Sequence, residues 1–156
     1  MSSSAMCDVK NAGFNVLIVY DEFVSGQRAV QTYYRLMSQQ GDLAEVNLKT
    51  WTFDLLKNPE INQSAIEDAA EAQIIILAAN CEMLPAAVEK WLQGWRLHTN
   101  KRHGSFVAVL NPASEPGKEL SAVENELQSL IPETGSDFLI ERTEYSHEWG
   151  VLHVAA

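Results

Sequence analysis

Adjacent carboxylates at Asp21 and Glu22 open a polar turn that runs to Gly26. Such a pair could hold a hard cation or serve as acid and base. Ser25 and Gly26 follow, with Arg28 two residues on. A hydroxyl and a glycine at a helix start, with a cation nearby, could seat a phosphate on backbone N–H groups. A second polar group is Asn80-Cys81-Glu82, where the thiol could be a nucleophile if a base activated it. Asn111, before Pro112, is a third. Each group also has a plainer reading. Neighbouring carboxylates in a turn are ordinarily solvated charge, Ser25 is a plausible N-cap, and no histidine is placed to activate Cys81. No Ser/His/Asp order and no metal-ligand spacing occurs, and the default for Cys81 is a passive thiol.

These residues could act together only if the fold brings their loops to one place. Val16-Leu17-Ile18-Val19-Tyr20 is a continuous apolar run, as expected of a central strand covered on both faces. Ala29, Val30, Tyr33, Leu36 and Met37 then recur at helical spacing up to Gly41. Ala44, Val46 and Leu48 alternate with polar residues, the pattern of an edge strand, with Trp51 and Phe53 in the connection after it. These two aromatics could flank a ligand but are read as packing on a helix. Ser64-Ala65-Ile66-Glu67 has the form of a capping box opening a short helix to Ala72. Ile74 to Leu77 is a second buried strand, followed by a loop from Ala78 to Leu84. Pro85 opens a helix whose apolar stripe is Val88, Trp91, Leu92 and Trp95. Phe106 to Leu110 is a third buried strand, Leu120 to Ile131 an amphipathic helix stopped by Pro132 and Gly135, and Phe138 to Ile140 a last strand.

This β-α-β-α-β-α-β-α-β order predicts an α/β fold of three layers, a doubly wound parallel five-stranded sheet in the order 2-1-3-4-5. Ligands of such sheets sit outside the carboxyl ends of the strands, so Asp21 to Gly26, Ala78 to Leu84 and Asn111 to Gly117 should share one rim. Residues 1–13 are expected to be a flexible tail and 14–156 a single domain. Residues 144–156 stay unassigned; Trp149, Val151, Leu152 and Val154 could add a strand or cover an edge.

The chain of 156 residues, 46% hydrophobic, can bury a sizeable core. Its formal net charge of −10 and pI near 4.7 argue against nucleic acid or an anionic membrane as partner. No apolar stretch approaches the roughly 18 residues of a membrane span, and the start lacks a secretory signal pattern. Cys7 and Cys81 have no metal-type spacing, which fits a reduced, cytoplasmic setting. Arg96, Lys101, Arg102 and His103 read as a solvated face; the connection that holds His98 and His103 lies at the end of the sheet opposite the rim, and His147 and His153 fall in the unassigned tail.

Two resemblances bear on function. Glu71 to Ala79, followed by Leu84-Pro85-Ala86-Ala87-Val88-Glu89-Lys90-Trp91-Leu92-Gln93-Gly94-Trp95, is similar to the third strand and following helix of flavodoxin-like proteins, especially NAD(P)H-dependent FMN reductases. Ser25-Gly26-Gln27-Arg28 resembles a reduced form of their phosphate loop. The resemblance implies a flavodoxin-like fold with FMN as cofactor: Ser25, Gly26 and Arg28 at the phosphate, Asn80, Cys81, Glu82 and Asn111 at the ring. Against it, Asp21 and Glu22 would stand beside a dianion, and Ala79-Asn80-Cys81-Glu82-Met83 lacks the ring-covering aromatic. Val16 to Glu22 also resembles the first strand and acidic pair of response-regulator receiver domains. There, however, the phosphoacceptor position falls at about Ala78 and the lysine of that family near Glu141. The sequence therefore points to a flavodoxin-like domain without catalytic residues or resident cofactor, a protein-interaction or signalling module with a protein partner. An FMN-binding, reductase-like flavoprotein is the alternative, and a homodimer stays open.

Overall fold

The computed structural model describes residues 14–39, 45–81, 83–98, 104–110 and 122–142. Strands β1 (Phe14–Tyr20), β2 (Val46–Thr52), β3 (Ile74–Ala79), β4 (Ser105–Leu110) and β5 (Asp137–Arg142) pair in parallel in the order β2-β1-β3-β4-β5. Between them run α1 (Phe23–Gln39), α2 (Pro59–Glu71), α3 (Ala86–His98) and α4 (Ala122–Leu130), with 3-10 turns at Leu55–Lys57 and Ile131–Thr134. This is the three-layer, doubly wound α/β arrangement expected from the sequence. Among the described residues no helix is long and apolar enough to cross a membrane.

The pleat divides the sheet into two cores. Leu17, Val19, Ile75, Leu77, Phe106 and Ala108 face α2, α3 and α4, whereas Val16, Ile18, Ile74, Ile76, Val107 and Val109 face α1. Each fully buried aliphatic side chain contributes at most about 1.5–3 kcal/mol, and β1 and β3 supply such residues to both cores, which is why neither strand alternates in sequence. β1 is interior but second in the order; the middle strand is β3. Trp91 is fully buried in the first core, with its indole N–H donating to Ala65 O at 3.0 Å. The tryptophans of α3 are thus core, as their spacing predicts.

Several local expectations need correction. α1 begins at Phe23, so Ser25 is not its N-cap but a buried residue of its first turn. The helix lays small residues, Ser25, Gly26, Ala29 and Thr32, against the sheet, and Val30 points outward. Gly26 allows this approach: a Cβ there would lie 2.8 Å from Tyr20 Cδ2, well inside van der Waals contact. α2 starts not at Ser64 but at Pro59, where Asn58 caps the helix through its side-chain oxygen to the N–H groups of Glu60 and Ile61. Proline in the first turn lacks only an N–H that would have been unbonded anyway. Trp51 lies inside β2, with its Nε1 donating to Asp68 Oδ2 at 2.9 Å, and Phe53 is buried in the first core. β2 is wetter than its alternation suggests: Val46 is half-buried, while Leu48 is exposed on the same face. α4 ends in a 3-10 turn closed by Gly135 at φ 87°, a left-handed position that glycine adopts without strain. Gly41, Ala44, Leu120 and the segments 1–13 and 144–156 lie outside the described residues.

Candidate functional site

Parallel register places the ends of β2, β1 and β3 side by side, with Tyr20 opposite Thr52 on one flank and Ala78 on the other. Two backbone bonds extend the pairing past the strands: Asp21 N donates to Ala78 O at 3.2 Å and Phe53 N to Tyr20 O at 2.8 Å. The turn after β1 is therefore short. Only Asp21 and Glu22 separate the strand from α1.

Across this gap the structure brings together three predicted rim residues. Asn80 donates its backbone N–H to Asp21 Oδ2 at 2.7 Å and its side-chain Nδ2 to Glu22 Oε2 at 2.5 Å. One asparagine thus bridges the two carboxylates and latches the β3 turn to the β1 turn. Hydrogen bonds to ionised acceptors are among the stronger ones, roughly 1.5–3 kcal/mol each when shielded and less here, where both bonds reach solvent. The other carboxylate oxygen, Asp21 Oδ1, is buried and has no hydrogen-bond partner.

Cys81 is half-buried beside this carboxylate. Burial pushes its thiol pKa up from the ordinary value, and the negative charge of Asp21 pushes it further, with a smaller push from Glu22. Both causes disfavour the thiolate, so at neutral pH Cys81 is a protonated thiol and a poor nucleophile.

The remaining predicted site residues are not gathered at this gap. Ser25 and Gly26 are buried within α1, the latter under the Tyr20 ring, and Arg28 is half-buried further along the same helix. Glu82 and Asn111 lie outside the described residues, as does the whole loop from Asn111 to Gly117. Ala78, at the position a receiver phosphoacceptor would take, is fully buried in β3. Glu141, at the place of the receiver lysine, accepts from Thr32 Oγ1 at 2.8 Å and pairs with Arg35, tying β5 to α1. His98 is exposed on the last turn of α3, its Nδ1 2.9 Å from Gly94 O, and Arg96 reaches Glu133 at 3.3 Å. Lys101, Arg102, His103, His147 and His153 lie outside the described residues. Among the described residues no group of three or more His, Cys, Asp or Glu side chains is arranged to hold a metal ion.

Two features of the rim go beyond the sequence-based expectation. Asn62, 3% exposed on α2, donates through Nδ2 to Leu56 O at 2.9 Å and Ala87 O at 3.1 Å, joining the turn after β2 to the start of α3. An asparagine in a helix interior one turn after an Asn-Pro start is the available signal. The rim also exposes large apolar side chains: Phe23 after β1, Leu55 after β2 and Met83 after β3. Strands about 4.8 Å apart place the ends of β2, β1 and β3 within roughly 10 Å of one another. Two small recesses lie elsewhere, one lined by Asn15, Asn47, Lys49 and Asp68, the other by Ala69, Trp95 and Gly104, and neither has space for more than a water or two.

No protein-family model matches this chain, and no curated protein matches its sequence. Solved structures do. A flavodoxin from Streptococcus pneumoniae TIGR4 is similar with a TM-score of 0.51 and 11% identity, over 85% of this chain and 88% of that one. A flavodoxin-like domain from a Synechococcus sp. protein gives 0.52 and 19%, over 83% of each chain.

Proposed function

We propose that this chain, whose fold is flavodoxin-like, is a non-catalytic interaction or signalling module that uses its strand-end rim to engage a protein partner. The observation that carries this reading is the latch of Asn80 across Asp21 and Glu22. Two carboxylates fill the turn where an anion would have to sit, and the side chain that could turn toward a ligand is engaged in holding them. A phosphate monoester placed there would meet like charge, and the hydroxyl-bearing Ser25 is buried in the helix. Phe23, Leu55 and Met83 give the same rim exposed apolar surface around this acidic centre, the mixture that protein contacts use.

The alternative, an FMN-binding and reductase-like flavoprotein, is supported by the likeness to a flavodoxin. The absorption spectrum of the purified protein and a titration with FMN decide between them. The interaction reading expects a colourless protein whose tryptophan fluorescence and melting temperature do not change with added FMN. A ligand that binds only the folded state at a hundredfold its Kd would stabilise it by about 2.7 kcal/mol. A yellow protein, or a saturable rise in melting temperature with FMN, would overturn the reading in favour of a flavoprotein. A stable adduct formed from a small phosphodonor would overturn it as well.

A further inference from the structure

The outward face of α1 is at odds with the rest of the surface. A solvated helix ordinarily shows charge outward and apolar residues inward. α1 reverses part of this, with small and hydroxyl residues against the sheet and Phe23, Val24, Gln27, Val30, Gln31 and Tyr34 exposed. Phe23 is 75% exposed and Tyr34 67%. At about 100° per residue, Phe23, Gln27, Val30 and Tyr34 form one stripe some 16 Å long. None of these residues is charged. Arg35 is the exposed charge on α1, and it turns aside to Glu141 on β5. By contrast, the exposed positions of α2 include Glu60, Glu67 and Glu71, and those of α3 include Glu89, Lys90 and Arg96.

We propose that this face of α1 joins two copies of the chain in an antiparallel, two-fold helix pair. The choice of occupant follows from charge. A basic partner would gain most by seating on carboxylates, and this face offers none. A partner of the same charge can approach closely only where charge is missing. Another copy, also at −10, is the like-charged molecule always present with this chain. The stripe is also self-complementary. A two-fold axis crossing α1 near its Arg28–Ala29 peptide sets Phe23 of one copy against Tyr34 of the other, and Gln27 against Val30, so both aromatic ends are covered at once.

The inference does not rest on what the rim binds, although Phe23 belongs to both surfaces, and its charge variants leave Asp21, Glu22 and Asn80 untouched. Sedimentation of the full chain over a wide concentration series should show a monomer–dimer equilibrium that tightens as salt screens the mutual repulsion. Val30→Glu would place like charges across the axis, and association should weaken at least about tenfold. Leu97→Glu, at a still more exposed position on α3, should leave association as it is. Should Val30→Glu disturb the fold, seen by circular dichroism, Tyr34→Glu carries the same test at a more exposed position. In a Cys7→Ser, Cys81→Ser background, Gln27→Cys should give a disulfide-linked dimer on mild oxidation. A wild-type chain that sediments as a monomer throughout would overturn the proposal. So would a dimer that survives both α1 variants, or one that loosens as salt is added, since that would place the contact among charged groups.

Discussion

Asp21 is the residue on which the rim turns. One of its oxygens accepts from Asn80, the other is buried without a partner, and the half-buried thiol of Cys81 lies beside the carboxylate. Removing its charge should be felt first at Cys81. In Asp21→Asn the second-largest cause of the raised thiol pKa disappears while burial, the largest, stays. The thiol pKa falls toward its ordinary value, more thiolate is present at mildly alkaline pH, and alkylation quickens about three- to tenfold, as expected when one like charge beside a thiol is removed. Rates of iodoacetamide labelling in a Cys7→Ser background measure this, and an unchanged rate would show that Asp21 does not govern the thiol. The types of these residues are legible in the sequence; their bonding is not. Asn80 stands 58 or 59 positions from Glu22 and Asp21, so a bond between them depends on the register of β1 on β3 rather than on any local pattern.

The same limit shows at the scale of elements. Val16 to Val19 and Ile74 to Leu77 can be recognised as buried strands because burial on both faces leaves an uninterrupted apolar run. The sequence pattern places the start of α2 too late because Asn58-Pro59 looks like a connection, whereas the asparagine is the cap and the proline the first residue. It misplaces the start of α1 because the buried face there is built of small residues, which a search for large apolar side chains passes over. Asn62 belongs to this scale, since its amide fastens two elements rather than binding anything itself. Asn62→Ala should remove both bonds to Leu56 O and Ala87 O and leave those carbonyls short of a donor. A loss of about 1–3 kcal/mol is expected, offset in part because the buried, unpartnered Asn62 Oδ1 goes as well. Urea denaturation of the variant measures it. If the two turns are held mainly by the apolar packing of Leu56 and Leu84, the midpoint will not move.

For the whole molecule, the arithmetic of charge weighs more than any single pair. With 21 acidic against 11 basic residues the chain repels itself at neutral pH, and lowering the pH relieves that repulsion before it breaks paired carboxylates. One contact adds its own slope in the same direction. Glu126 on α4 is pushed up from 4.5 to about 7, first by burial and then by a hydrogen bond and charge from Glu89 on α3. Its carboxyl therefore keeps a proton in the folded chain that the unfolded chain releases above about 4.5. Stability from this pair is complete below that pH and is lost as the pH rises through about 7. The side chain is largely in contact with solvent, so screening reduces its share to about 1 kcal/mol, some 2–4 °C in melting temperature for a chain of this size. Comparison with Glu126→Gln isolates it from the general effect of charge. The variant keeps a neutral hydrogen-bonding group at every pH, so it should match the wild type near pH 4.5 and melt higher than it above about pH 7. Parallel melting curves across that range would show that α3 and α4 meet without sharing a proton.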